Sequence, residues 1–379
     1  MTREAVEKPP LQWVNFLFLT ISPLVAVIGS IWYGLNYGFQ PMEWVFFVLF
    51  MWFTGISITG GYHRLWSHKT HKAHFVVRLF YAFFGACSVQ NSVFHWASDH
   101  RNHHKYVDDW DKDPYSAKRG FFFSHIGWIY RKYSAGTDDF SNIKDLLKDP
   151  ILRFQDKYYV PLAIFSNVAL PLGIGYIVPG CDPIGMLLLS GFVRLVLNHH
   201  FTFFINSLAH IWGTQPYSDK DTSRDNPILS LVTYGEGYHN FHHRFQSDYR
   251  NGLNWYDFDP SKWTIFLLSK IGLASGLKRT SKHKIEVAIA DMQFEKALSK
   301  IDNEHHSFEE ITTQLKEKYN EYITILEAHY ASKKEWLIAK KEDCLSSVEI
   351  SALRERYLEL KENFRIERLN WNQLVATAA

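Results

Sequence analysis

Hydrophobic and polar positions segregate strongly along this chain. Trp13 to Trp32 carries no charge, and neither does Trp44 to Tyr62. A third uncharged run, Tyr158 to Val178, is interrupted by Pro161 and Pro171. A fourth, Ile184 to Ile205, holds only Arg194, His199 and His200 as ionisable groups. About 20 apolar residues cross a bilayer as a helix, so the pattern predicts four spans, at residues 13–35, 42–62, 158–178 and 184–206. The links Gly34 to Pro41 and Pro179 to Pro183 are short, so the spans pair into two helical hairpins. Phe75 to Trp96 is also apolar but contains Arg78, Gln90, Asn91 and His95. It reads as a helix lying in or against the membrane interface, with a fifth span as the weaker alternative. Lys and Arg crowd Arg64 to Lys157 and everything after Lys220, which puts those segments and both termini on the cytoplasmic side.

From Lys282 onward the pattern changes. Phe308, Ile311, Leu315, Tyr322 and Leu326 recur at helical spacing, as do Ile350, Leu353, Tyr357, Leu360 and Phe364, between charged faces. This predicts a pair of amphipathic helices with a break near Ser346-Ser347. The expected architecture is an all-α integral membrane protein. Residues 1–280 form a membrane domain whose cytosolic helical cap comprises 63–157 and 207–280, and 281–379 form a helical extension.

Composition adds exclusions. The formal net charge over 379 residues is +2, so nothing points to nucleic acid. The three cysteines show neither metal-ligand spacing nor a disulfide framework. The N-terminus is polar and the first apolar run too long for a cleavable signal, so none is expected.

The chemistry lies in the histidines. Of 19, nine fall into four groups. These are His63 with His68, then His100, His103 and His104, then His210 after Asn206, and then His239, His242 and His243. Positions i, i+3 and i+4 share one helical face, so each triplet can aim three imidazoles at one point. His63 and His68 are five apart, off an ideal helical face, and fit better astride a helix end. Neutral imidazole is the commonest metal-binding side chain, and nine rings imply more than one ion. Imidazole suits iron, zinc and copper alike, and spacing does not choose among them. All four groups fall just beyond the ends of spans, on one side. A transporter would rather place polar ligands near the bilayer midplane. An open site beside a membrane points to oxygen chemistry on a lipid.

The segments Gly61-Tyr62-His63-Arg64-Leu65-Trp66-Ser67-His68, Trp96 to His104 and Gly237 to His243 resemble the histidine boxes of membrane fatty-acyl desaturases, the stearoyl-CoA (Δ9) type in particular. Arg119 to Trp128 and Asn206 to His210 are similar too, and the resemblance covers roughly Gly55 to Asn254. It implies a di-iron centre and O2-dependent insertion of a cis double bond. One iron would take His63, His100, His104 and His210, with a water held by Asn206. The other would take His68, His103, His239, His242 and His243. Asp99, Glu236 and His125 would orient ligating rings. Gln90, Asn91, Trp96 and Thr202 match positions at the kink and entrance of a substrate tunnel, which Phe47 and Met51 would close. Arg131, Lys132 and Asp99 match positions that contact coenzyme A, but Ser98 stands where a basic residue is usual. That departure leaves a carrier protein or phospholipid acyl chain beside acyl-CoA as the substrate form. No haem-binding segment and no dinucleotide fingerprint is seen, so electrons must come from a separate donor such as cytochrome b5 or a ferredoxin. The nearest rival is a related membrane di-iron oxygenase that hydroxylates lipid. The Trp-rich His63 box and the Asn206–His210 pair favour desaturation.

Overall fold

Four helices are long and apolar enough to cross a membrane: Trp13–Asn36, Pro41–Ser67, Tyr159–Ile177 and Pro183–His210. They are the four expected spans, the second and fourth running about one turn longer at the histidine-bearing end. The computed structural model describes residues 9–136, 139–301, 308–342 and 346–377. Among them the only strands are two-residue pieces, Lys72–Ala73 paired antiparallel with Ala274–Ser275.

Short connections close the two hairpins, and the fourth span binds them together. Gly29 of the first span lies so near Leu188 that a Cβ there would sit 2.9 Å from its side chain. At the far end of the second span, Glu43 is fully buried. Its carboxylate accepts from the Gln40 N–H, forming a capping box, and from the Asp182 N–H at 2.7 Å. One carboxylate thus satisfies the starts of two membrane helices. Every span contains wide i→i+5 turns, at Val25–Gly29, Ser57–Ser67, Phe165–Ala169 and Leu187–Val193. The first follows Pro23, whose missing N–H loosens the ladder.

The apolar segment Phe75 to Trp96 is not one interfacial helix. It is two, Phe75–Cys87 and Val93–Tyr106, joined by a tight turn that reaches the fourth span at Arg194 and His199. Gln90, Asn91 and Ser92 break the apolar run at this turn. Two close approaches seat the first of these helices on the second span. A Cβ on Gly61 would lie 2.8 Å from Tyr81, and one on Gly85 would lie 2.0 Å from the Tyr62 ring. Tyr62, Tyr81, Val93 and Ala97 are all buried at this junction, which leads directly to the histidines.

The described residues fall into two compact units. The first runs up to Gln215 and takes in Lys220–Arg279; the second comprises Pro216–Asp219 and the chain from Thr280. The second unit contains three helices, where sequence predicts two: Lys282–Leu298, Phe308–Glu342 and Ser347–Thr377. The break near Ser346 is present, with Ser346 and Glu349 capping the last helix reciprocally. Tyr322, His329 and Trp336 stack on Trp371, Phe364 and Tyr357 respectively, at ring separations of 5.7, 5.0 and 5.2 Å. The steps are seven residues on both helices, an antiparallel heptad seam of aromatic layers. Ile311, expected on the apolar face, is exposed instead.

Candidate metal centre

The nine histidines converge, but not in the division that the resemblance implies. His63, His68, His100, His104 and His242 bring one ring nitrogen each to within 4.8 Å of one another, and so do His103, His210, His239 and His243. The resemblance would instead place His210 with His63, His100 and His104, and His68 and His242 with the remaining three. Helix geometry gives the reason. On Val93–Tyr106, His100 and His104 are i and i+4 and turn one way, while His103 turns to the other side. On His239–Arg244, His239 and His243 pair likewise, and His242 faces away from them. Each HxxHH box therefore serves both groups, contributing two rings to one and one ring to the other.

His63 and His68 reach a common point through the wide turns of Ser57–Ser67. The His68 N–H donates to the His63 carbonyl at 3.1 Å, an i→i+5 bond. That register aligns residues five apart, and His68 then closes the segment as its C-cap.

Within the groups, Nε2 atoms approach closely. His63–His242 and His104–His242 lie 2.9 Å apart, and His68–His100 2.8 Å. In the other group His210–His239 and His239–His243 lie 3.1 Å apart. Nitrogens bound at about 2.1 Å from a common ion at right angles would be spaced by roughly 3 Å. The donor set fits one cation in each group. Burial, foremost, and then the neighbouring imidazoles hold His68, His100, His104, His239, His242 and His243 well below the ordinary histidine pKa. The rings are therefore neutral, which is the form that binds metal.

Four of the rings, His63, His100, His103 and His210, have an acceptor on the opposite nitrogen, while His239 Nδ1 is buried with no hydrogen-bond partner among the described residues. His63 Nδ1 meets Glu236 at 2.9 Å. Burial works against ionisation of Glu236, but His63 and Arg64 outweigh it and keep its pKa low. Arg64, itself buried, bridges Glu236 and Asp259 and donates to the Tyr249 carbonyl. Three further contacts were not foreseen. His103 Nδ1 meets Asp113 at 2.8 Å, His100 Nδ1 meets the Tyr115 hydroxyl at 3.2 Å, and His210 Nδ1 meets the Thr222 hydroxyl at 2.9 Å. Thr222 is fixed in turn by Asp108. The acidic run Asp108-Asp109-Trp110-Asp111-Lys112-Asp113, directly after the second box, was the available signal.

His125 and Asp99 are the two other residues expected to orient rings. His125 hydrogen-bonds Ser207 and His200, both at 3.0 Å, and no metal-ligand histidine. Asp99 acts on Tyr115, whose ionisation burial, Asp113 and Asp99 all oppose. Asn206 ends the helix Arg194–Asn206, and His210 sits in the separate tight turn Leu208–His210.

The residues expected along the substrate path come together in part. The Gln90 side chain donates to Thr202 at 2.9 Å and to Asn198 at 3.3 Å, and accepts from the Trp96 indole at 3.3 Å. Trp96 stacks on His100 at 4.8 Å. A crevice beside this chain is walled by Gly55, Ile58, Asn198, Thr202 and Tyr234. Met51 and Phe47 lie one and two turns beyond Gly55 on the second span. The Asn91 N–H is bound to the Tyr159 hydroxyl at 2.8 Å.

At the position of the expected head-group contacts, Arg131 donates to the Pro9 carbonyl at 2.7 Å, and its backbone pairs with Leu11. Lys132 is exposed. Ser98 is 2% exposed and donates to Asn142 at 2.9 Å, so a long basic side chain does not fit there without displacing that turn.

Comparison with known proteins gives a consistent answer. The sequence model of the fatty acid desaturase family matches residues 39–264. The chain is 42% identical over 290 residues to acyl-CoA desaturase 1 of Saccharomyces cerevisiae, covering 76% of this chain and 55% of that protein. It is 36% identical over 279 residues to stearoyl-CoA desaturase 5 of Bos taurus, covering 72% and 82%. It is 38% identical over 273 residues to an acyl-CoA Delta(11) desaturase of Spodoptera littoralis, covering 67% and 77%. The chain spans little more than half the length of its two yeast relatives, 55% in Saccharomyces cerevisiae and 58% in Schizosaccharomyces pombe.

Proposed function

The chain belongs to the fatty acid desaturase family, and from that premise we propose that it introduces a cis double bond into a saturated fatty acyl-CoA. The observation that carries the reading is the pair of buried histidine groups, five rings and four, each gathered within 4.8 Å.

The residues suit two iron ions. His63, His68, His100, His104 and His242 would hold one, and His103, His210, His239 and His243 the other. When bound and supplied with two electrons, such a pair provides the O2-activating chemistry that takes two hydrogens from adjacent methylenes and releases two waters. The protein's own part is positioning. Glu236, Asp113, Tyr115 and Thr222 fix ring orientation and tautomer. Gln90, Trp96 and Thr202 form a polar elbow beside His100, where a bent acyl chain would pass. Phe47 and Met51 close the far end and limit chain length.

Acyl-CoA is favoured as the substrate form because the relatives are named for it. The head-group site would differ from the family pattern, since Ser98 is buried and Arg131 is tied to Pro9. Δ9 is the position favoured by the stearoyl-CoA relatives, although one relative is named for Δ11. Electrons would come from a donor such as a cytochrome b5 or a ferredoxin.

The test is fatty-acid methyl ester analysis of a desaturase-deficient host expressing this chain or its His103→Ala variant. A new cis-Δ9 monoene with the wild type alone is expected. Hydroxylated chains in its place would move the assignment to an oxygenase.

A further inference from the structure

Arg194 is the one Lys, Arg, Asp or Glu in the apolar run Ile184 to Ile205, and it is fully buried. A guanidinium at membrane depth is costly and usually marks function. Its described hydrogen-bond partners are all uncharged. Nε donates to the Ser190 carbonyl at 2.9 Å, one Nη to the Cys87 carbonyl at 2.9 Å, and the other Nη to the Asn167 side chain. Five residues on, buried His199 directs Nε2 at the carbonyls of Ser88 and Val89, at 2.8 and 3.1 Å. Cys87 is the last residue of the helix Phe75–Cys87. A helix end leaves its final carbonyls without intrahelical partners, and at membrane depth such backbone is tolerated only when protein satisfies it. Arg194 and His199 do so.

The turn they cap is strained. Val89 and Asn91 have φ of +49° and +75°. A β-branched residue in that region is a genuine outlier, and such conformations persist only where their surroundings over-determine them. Here the other side of the turn is tied too. Tyr159 accepts from the Asn91 N–H, Gln155 accepts from the Val93 N–H, and Ser92 donates to Asp156. Between the two strained residues stands Gln90, clamped to Thr202, Asn198 and Trp96.

We propose that Arg194 and His199 are positioning residues: they lock the Ser88–Ser92 turn so that Gln90 and Trp96 meet the acyl chain at a fixed distance from the histidine groups, and thereby set which methylene pair is dehydrogenated. This rests on the desaturase reading. The membrane-depth cation acts through two backbone carbonyls and the Asn167 side chain, and none of these described hydrogen bonds goes to a metal-ligand histidine.

The test compares wild type with Arg194→Gln, Arg194→Lys, His199→Gln and Val89→Gly. Double-bond positions are read by mass spectrometry of dimethyl disulfide adducts, alongside iron per folded protein. In Arg194→Gln and His199→Gln the share of product with a displaced double bond is expected to rise at least ten-fold, with iron content unchanged. Arg194→Lys keeps a donor for Cys87 and should restore most of the fidelity. Glycine accepts the left-handed backbone of residue 89, so Val89→Gly keeps the lock, relieves its strain and should keep the wild-type position. A merely structural role would reduce folded protein and leave the double-bond position of the remainder untouched. That result in the Arg194 and His199 variants that fold overturns the proposal. A wild type that makes no unsaturated product overturns the desaturase reading itself, so the two failures are distinct.

Discussion

Asp113 accepts from His103 at 2.8 Å, and it does so from a loop ten residues downstream with no exposure of its own. The same carboxylate accepts from the backbone N–H groups of Asp108 and Tyr115. It therefore shapes the loop and orients the ring together. Removing a carboxylate behind a metal-bound imidazole typically costs about 10–100-fold in metal affinity. Asp113→Asn is expected to retain its fold and lose iron by that order, measured as iron per protein across a chelator titration.

Burial foremost raises the Asp225 carboxyl to about 7; the Phe241 and Asn240 N–H groups pull it down, and Asp257 adds to the rise. In the unfolded chain an aspartate titrates near 4. Asp225 therefore contributes full stability below about pH 4, and that contribution is lost as pH rises through 7. Asparagine keeps an acceptor for the Phe241 N–H without the ionisation cost. The Tm advantage of Asp225→Asn over wild type should grow by several degrees between pH 5 and pH 8. A constant difference would refute the assignment.

Gly85 admits no side chain. A methyl there would enter the Tyr62 ring at 2.0 Å. Overpacking of this kind typically costs about 1–3 kcal/mol. Gly85→Ala should lower Tm, and pairing it with Tyr62→Ala should recover part of the loss. A silent Gly85→Ala would show that the helix moves aside freely.

Phe47 and Met51 lie one turn apart on the second span, beyond the crevice at Gly55. Phe47→Ala and Met51→Ala are each expected to raise the share of product from longer acyl chains, read as methyl esters. Unchanged chain lengths in both would remove them as the tunnel's end.

What the sequence reveals follows from what the solvent demands. Lipid requires uninterrupted apolar runs, so the four spans are plain, as are the nine histidines at their ends. The division of those rings between two groups is hidden, because i, i+3 and i+4 share a face only loosely, and the loose part decides which way His103 and His242 turn. The wide turns of Ser57–Ser67 leave no mark in residue type; only the five-residue interval from His63 to His68 hints at them. Asp113, Tyr115 and Thr222 sit in loops, where no period exists to read. The helix Lys282–Leu298 is hard to read because three of its buried positions, Ala288, Ala290 and Ala297, are alanines set among Lys and Glu.

The interval between His63 and His68 bears shortening better than lengthening. With one residue fewer, the i→i+5 bond from His68 to His63 would become an ordinary i→i+4 bond, which still sets its two positions on one face, as it does for His100 and His104. An insertion would leave the two histidines six apart, a spacing that neither register aligns. Descendants of this chain can therefore lose a codon there and keep both rings together, while a single-codon gain would remove a ligand in one step.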